Sequence, residues 1–242
     1  MSVVAMPWQE TLDWQPSSEV LVRFQQLHER VILGNQQQNL TRLTDAADFW
    51  EKHLWDSLRG LHSGATLSAL GTQTASLIDL GTGAGFPGIP IALVLPHWAV
   101  TLVDATKRKI AFVQETATAL GLTQVTTVAE RAEPLGHRQG YREAFDWAVI
   151  RAVGAAPVCA EYALPCVKVG GKAILYRGHW TADEEVTLRQ VLEQLGGSLV
   201  KVDAFQTPLS QAVRHCLVIE KVAPIADRFP RAIGIPAKEP LI

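Results

Sequence analysis

The sequence predicts an α/β protein built on one mostly parallel sheet with helices on both faces, and three observations carry that prediction. From residue 76 onward, short apolar runs of strand length alternate with stretches of helical periodicity. The first run, Leu77-Ile78-Asp79-Leu80, feeds a glycine-dense turn, Gly81-Thr82-Gly83-Ala84-Gly85, which leads into a helical stretch. The alternation ends in two strand-like runs, 199–205 and 214–222, separated by a short Thr-Pro-Leu-Ser region. So tight a link favours an antiparallel pair at the sheet edge.

From the N-terminus, residues 1–16 read as a loose arm, with Trp8 and Trp14 as the groups that would tuck it onto the body. Val20, Leu21, Phe24, Leu27, Val31 and Ile32 follow helical spacing. Ser17 or Ser18 caps that helix, and Gly34-Asn35 is its expected stop. A second helix is expected over 46–61 with Asp45 as N-cap, and the Ser/Thr/Gly-rich residues 62–74 read as a connector. The chain thus divides into an arm and helical cap, 1–74, and a main domain, 75–242. In the main domain, strands are expected at 76–80, 99–104, 124–129, 145–151 and 172–176 before the terminal pair, seven in all. Helices are expected at 88–95, 107–120, 155–166 and 182–195.

Composition bounds the function. The chain has 242 residues, enough for one large domain with a helical addition. At 48% hydrophobic and 19% charged residues it is a soluble globular chain rather than a disordered one. A net charge of -2 argues against a uniformly basic nucleic-acid binder, so RNA contact must use local patches. The three cysteines, Cys159, Cys166 and Cys216, are odd in number and form no C-x-x-C, which argues against a disulfide framework or zinc cluster and for a reducing cytoplasm. The N-terminus lacks the basic and apolar regions of a secretory signal. The longest apolar stretch, 89–100, is broken by Pro90, Pro96 and His97 and is too short to span a bilayer, so no membrane partner is expected.

In an open α/β sheet, ligands sit beyond the carboxyl ends of the strands where strand order reverses. Gly81, Gly83 and Gly85 follow the first strand, and backbone N–H groups there can donate to an anionic ligand group. Asp104 ends the second strand about 23 residues beyond Gly81, near the offset of a ribose-binding acid. It also reads as the N-cap of the helix that starts at Lys107. Two cofactors fit this turn. Dinucleotides prefer G-x-G-x-x-G, whose third glycine admits the pyrophosphate; here Phe86 holds that position and Gly85 falls one residue early. S-adenosylmethionine has no pyrophosphate, and its carboxylate and amine suit G-x-G-x-G, with Asp79 answering the amine or holding the turn through water. The spacing favours S-adenosylmethionine; a dinucleotide and a purely structural turn stay open. Five parallel strands and a terminal antiparallel pair resemble the class I S-adenosylmethionine-dependent methyltransferase fold, a Rossmann-like architecture. In that fold the loop holding Ala132 and Glu133 passes the adenine, so Glu133 reads as an adenine ligand or as a helix cap near Pro134.

Arg151 ends the fourth strand and is costly to bury without a partner. It faces cofactor or substrate, or pairs with Glu133 or Glu161. His53 and Asp56 lie three apart on one helix face, either bracing the N-terminal helices against the sheet or touching RNA or cofactor at a pocket mouth. Positive charge for RNA is offered by Lys107-Arg108-Lys109 and by Arg228, Arg231 and Lys238 in a basic tail; each is also readable as a solvated surface residue.

Several segments together resemble one family, the bacterial small-subunit ribosomal RNA guanine-N7 methyltransferases, also called RsmG or glucose-inhibited division protein B. They are Asn39-Leu40-Thr41, Lys52-His53-Leu54-Trp55-Asp56-Ser57-Leu58, the stretch 79–90, Leu102-Val103-Asp104-Ala105-Thr106-Lys107, Arg131-Ala132-Glu133, Phe145-Asp146 with Arg151-Ala152, Lys168-Val169-Gly170-Gly171, and Arg228-Phe229-Pro230-Arg231. The glycine turn is shared by many methyltransferases; its Phe-Pro-Gly-Ile-Pro extension, the His-x-x-Asp-Ser helix and the Arg-x-Pro-Arg tail are more particular. The resemblance implies S-adenosylmethionine-dependent N7 methylation of a guanine in 16S ribosomal RNA near the decoding region, with the RNA or the small ribosomal subunit as partner. It assigns cofactor binding to Gly81, Phe86, Asp104, Ala105, Thr106, Ala132, Glu133 and Arg151. Trp55 and Trp147 stand where the family pattern has smaller residues, and the N-terminal arm is longer.

Guanine N7 carries an in-plane lone pair, so no proton leaves before attack, and a sulfonium methyl group is electrophilic without metal help. No catalytic side chain and no metal ligand is therefore assigned; positioning alone can supply roughly 7–11 kcal/mol. Two other readings remain, an NAD(P)-dependent oxidoreductase, against which Phe86 speaks, and a non-catalytic RNA-binding assembly factor. A methyltransferase for small molecules or proteins is a further, weaker one. A monomer is expected.

Overall fold

The computed structural model describes residues 6–38, 40 and 45–242. Asn39 and Thr41 of the family-like segment, and the start of the arm, lie outside the described residues. Seven strands, β1 Ser76–Leu80, β2 Ala99–Asp104, β3 Val125–Ala129, β4 Phe145–Arg151, β5 Val167–Arg177, β6 Gly197–Gln206 and β7 Val213–Lys221, form one sheet. Their order is β3-β2-β1-β4-β5-β7-β6. Strands β1 to β5 pair in parallel, and β7 runs antiparallel to both β5 and β6. The expected terminal pair is therefore present, with β6 at the edge.

The central strands are buried on both faces, which is why they read as near-continuous apolar runs, successive side chains entering opposite cores. Leu77, Val149 and Ile174 face one core; Ile78, Ala148 and Leu175 face the other. The first core is covered by α1 Trp8–Leu12, α2 Ser18–Gln38, α3 Ala46–Phe49, α4 Asp56–Gly64, α5 Leu67–Leu70, α6 Gly88–Val94 and α7 Lys107–Ala119. The second is covered mainly by α9 Ala156–Ala163, α10 Ala182–Gln194 and Ile225 and Phe229 of the tail. The short α8 Ala132–Leu135 and α11 Ile235–Lys238 lie after β3 and near the C-terminus.

Four local differences from the sequence reading have physical causes. The arm is not loose from Met6 on: Trp8 and Leu12 of α1 are buried, and Trp8 packs on Trp14, Phe24 and Trp50. Trp55 Nε1 donates to Thr11 Oγ1 at 2.8 Å, which ties the arm to the helices that follow. The helix expected to stop at Gly34 instead runs through it as α2, and a Cβ there would lie 2.4 Å from Phe112; the glycine serves close packing of α2 on α7 rather than termination. The expected helix 46–61 is interrupted by a π-helical turn, Trp50–Trp55. The connector holds α5, capped by the Thr66 hydroxyl, which accepts from Ala69 N.

Candidate cofactor site

The glycine turn closes β1 with φ of +78° at Gly81, +61° at Gly83 and +99° at Gly85, a region open to glycine and strained for other residues. Gly81 N and Thr82 N both donate to Val103 O, at 2.8 and 2.9 Å, and Gly83 N donates to Asp104 Oδ2 at 3.1 Å. Gly85 N and Phe86 N donate to Thr82 O. These amides are thus engaged within the chain rather than turned to an anion, because the turn is pinned against the end of β2. Asp79 holds the turn directly: its Oδ2 accepts from Thr82 Oγ1 at 2.6 Å and from Gly88 N at 2.9 Å. Its Oδ1 is buried without a partner among the described residues, and burial pushes this carboxyl up to about 6.

A cavity of about 450 Å³ opens at the carboxyl ends of β1, β2, β3 and β4, where the strand order reverses. Five of the eight assigned residues, Gly81, Asp104, Ala105, Ala132 and Glu133, line it. Asp104 accepts from Gly83 N and, through Oδ1, from Thr106 N at 2.8 Å, with Lys109 Nζ 3.8 Å away. A carboxylate has about four acceptor sites, so room remains for hydroxyl donors. Thr106 does not line the cavity; its amide steadies Asp104.

Glu133 is 2% exposed and accepts from Arg131 Nη2 at 2.7 Å, Arg131 Nε at 3.1 Å, Tyr162 Oη at 3.3 Å and Gly234 N at 2.9 Å. Burial alone would raise its carboxyl, but the Arg131 guanidinium and Gly234 amide outweigh it and hold Glu133 below the usual carboxylate range. Its carboxylate thereby fastens the C-terminal segment, whose Ala237 and Pro240 wall the same cavity. That wall, with Tyr162, escaped the sequence reading; the Gly234-Ile235-Pro236 run, a turn residue before a proline at a helix start, was its only local signal.

Phe86 and Arg151 stand apart from this cavity and meet each other. The Phe86 ring stacks on His53, centroids 4.3 Å apart, and the Arg151 guanidinium lies 5.9 Å from its centroid. Arg151 pairs with Asp56, not with Glu133 or Glu161: Nη1 donates to Asp56 Oδ2 at 3.0 Å and to Lys52 O at 2.9 Å, and Nη2 lies 3.4 Å from His53 Nδ1. Burial, then the nearby Arg151 charge, pushes His53 down to about 3. Burial raises the Asp56 carboxyl, against the pull of Arg151. Arg151 and Asp56 line a second cavity of about 620 Å³, which shares Ala152 with the first. Ala152 has φ +56°, an uncommon conformation for a residue with a Cβ.

The expected RNA-facing charges divide. Lys107, Arg108, Arg228 and Lys238 are exposed. Arg231 is not a free tail charge: its Nε and Nη2 grip buried Glu161 at 2.9 and 2.8 Å, and its own backbone N donates to Glu161 Oε1 at 2.8 Å. Among the described residues, no helix is long and apolar enough to cross a membrane.

Solved structures similar to this one include the 16S rRNA (adenine(1408)-N(1))-methyltransferase of Catenulisporales acidiphilia, at 15% identity and a TM-score of 0.53, over 65% of this chain and 93% of that one. Another is M. jannaschii TYW2 in complex with AdoMet, at 14% identity and a TM-score of 0.50, over 64% and 74%. At such identities they establish the fold, that of class I methyltransferases. Curated relatives named ribosomal RNA small subunit methyltransferase G include those of Trichormus variabilis, 50% identical over 97% of this chain and 96% of that protein, and of Synechococcus sp. (strain JA-2-3B'a(2-13)), 54% identical over 97% and 90%. The family model described as GidB, rRNA small subunit methyltransferase G, matches residues 21–215. With its fold, its glycine turn and nearly its whole length matched, the chain belongs to the rRNA small subunit methyltransferase G family.

Proposed function

We propose that the chain transfers the methyl group of S-adenosylmethionine to N7 of a guanine in 16S ribosomal RNA, in the cytoplasm and as a single chain. The observation that carries this reading is the pair of abutting cavities at the strand ends: one framed by the glycine turn and Asp104, the other polar and joined to it at Ala152. The names of the relatives support small-subunit RNA as the substrate.

The residues present fit the cofactor. A cavity of about 450 Å³ lies within the range of small-ligand sites. The remaining acceptor sites of Asp104 suit ribose hydroxyls, and the orphaned, buried Asp79 Oδ1 suits a cationic ammonium. When bound, S-adenosylmethionine supplies an electrophilic sulfonium methyl group. Gly81, Asp104, Ala105, Ala132 and Glu133 hold it, and Thr106 fixes Asp104. Phe86 and Arg151 act from behind, bracing the residues 151–153 between the two cavities. A dinucleotide is disfavoured because the position of its third glycine is filled by Phe86, locked against His53 and Phe49.

No side chain is asked to take a proton, since N7 attacks with a free lone pair. His53 stays neutral and engaged with Phe86 and Arg151, so it is a brace rather than a base. The chain's work is to orient the base and exclude water. The helical part, 1–74, contributes that brace, and the part 75–242 contributes the cofactor site. Mass mapping of methylated nucleotides in rRNA from cells with and without the protein tests this: one N7-methylguanine of the small subunit should vanish. An unchanged pattern refutes the proposal. Labelled-methyl transfer to small-subunit particles by the purified protein separates it from an assembly factor, which would transfer none.

A further inference from the structure

The second cavity has a chemistry of its own. Glu184, one of its two carboxylates, is engaged in the capping box of α10 with Thr181, and lies 3.7 Å from Arg177. Asp56, the other, is 9% exposed. Its Oδ2 receives Arg151, while its Oδ1 makes no hydrogen bond among the described residues. Arg214, also on the lining, donates to the neighbouring Val213 carbonyl and has no carboxylate in ion-pair reach among the described residues. The cavity thus offers a carboxylate with acceptor sites left and a guanidinium without an ion-pair partner within 4 Å among the described residues, whose charge still reaches Asp56, next to the first cavity through Ala152.

We infer that this cavity takes the acceptor guanosine, with Asp56 accepting from the base N1–H and 2-amino group and Arg214 meeting a phosphate of the same strand. The inference rests on the guanine-N7 reading above. If N7 faces the methyl donor, the opposite edge of the purine, N1–H and the 2-amino group, faces away from it. That edge needs an acceptor pair, which a carboxylate with Oδ1 open and one site of Oδ2 used supplies. Adenine presents a lone pair at N1 and is repelled by the same carboxylate. Arg151, held by the Lys52 carbonyl, fixes the orientation of Asp56 and is a positioning residue. Arg214 reads no base; it gives affinity and salt dependence.

The test uses the full chain with S-adenosylmethionine and small-subunit particles reconstituted around rRNA carrying either guanosine or inosine at the mapped position. Inosine keeps N7 and O6 but lacks the 2-amino group. The unmodified protein should lose about tenfold or more in kcat/KM on inosine, the usual effect of removing one hydrogen bond to a charged group. Asp56→Asn should lower kcat/KM for guanosine about a hundredfold, show no further penalty for inosine, and leave S-adenosylhomocysteine affinity unchanged. Arg214→Ala should raise KM for the particle about tenfold at unchanged kcat and flatten its salt dependence. Equal methylation of guanosine and inosine by the unmodified protein overturns the inference, as does full discrimination retained in Asp56→Asn. The first comparison needs no variant and stands even if Asp56→Asn fails to fold. Absence of methyl transfer to any guanine overturns the functional reading as well, a result distinct from transfer without discrimination.

Discussion

Arg231→Ala separates two roles for the tail. A basic residue near the C-terminus of an RNA-modifying enzyme reads as a phosphate contact, and its loss would then weaken RNA binding and spare stability. The structure gives it other work. The Glu161 side chain is 1% exposed and that of Arg231 24%, and three side-chain hydrogen bonds of 2.8, 2.9 and 3.2 Å join them. Removing the guanidinium leaves a buried carboxylate with one backbone amide as its remaining donor, a loss of about 3 kcal/mol for a broken buried pair. In a chain of 242 residues, each kcal/mol moves the melting temperature by about 2–4 °C, so calorimetry should record a fall of roughly 6–12 °C. Because Ala237 and Pro240 of the same segment wall the cofactor cavity, S-adenosylhomocysteine affinity should fall as well. Adding Glu161→Gln removes the stranded charge and should restore at least half of the loss. A melting temperature within about 1 °C of the parent, with RNA binding alone impaired, would refute the anchoring role.

Three further perturbations test the site. Gly81→Ala places a Cβ 2.5 Å from Val153 Cγ2 at φ +78°; the conformational cost alone is about 1–2 kcal/mol, and displacement of the cavity wall at Val153 should weaken cofactor binding tenfold or more by calorimetry. Asp79 is an acid whose folded pKa, about 6, exceeds its unfolded value of 3.8; the folded state therefore holds the proton longer, and stability falls by about 3 kcal/mol as pH rises from about 4 to above 6, a slope that denaturant titration should lose in Asp79→Asn. Glu51 is the opposite case. Burial opposes its ionisation, but Ser210 and Leu209 outweigh it and hold its carboxyl below the usual value, so its stabilisation is present above pH 4.5 and is lost on acidification; Glu51→Gln should flatten that acid limb and speed hydrogen exchange at Leu209 and Ser210. An unchanged acid limb in that variant would dismiss the carboxylate as the clasp of the β6–β7 loop.

What was legible in the sequence follows from what short-range pattern encodes. Apolar runs with tight turns marked all seven strands, because the central strands are buried on both faces and so read as near-continuous apolar runs. The glycine turn and Asp104 were legible because positive φ and a carboxylate at a strand end leave residue-type signatures. Pairings across the chain were not. Nothing local says that Arg151 selects Asp56, 95 residues away, over Glu133, or that Arg231 reaches back 70 residues to Glu161. Glu133 reads as a ligand from its place after β3, and it does line the cavity, but nothing local says that Tyr162 and Gly234 also converge on it. Gly34 was misread for a reason of the same kind: its cause is Phe112, on another helix.

The π-helical turn ties these long-range contacts to the chemistry. A helix of strict 3.6 periodicity over 46–61 would send Glu51, His53, Trp55 and Asp56 out at fixed angles, with every interior carbonyl held in the ladder. The wider turn at Trp50–Trp55 alters both. The Lys52 carbonyl accepts from Arg151, Glu51 clasps Leu209 and Ser210, Trp55 reaches Thr11, and His53 stacks on Phe86 beside the glycine turn. One irregular turn therefore touches the arm, the end of β4, the β6–β7 loop and the extension of the glycine motif. Of these, the end of β4 lines both cavities, through Arg151 and Ala152 in the second and Ala152 in the first. π-bulges cluster at functional sites because the extra residue re-aims side chains that a regular helix would misdirect. Here the re-aimed residue is Asp56, set at the start of α4 on the cavity lining with Oδ2 on Arg151. The His53-Leu54-Trp55-Asp56 segment thus carries a defect in helical period, and that defect delivers a carboxylate to the place where, on the proposal above, a guanine is read.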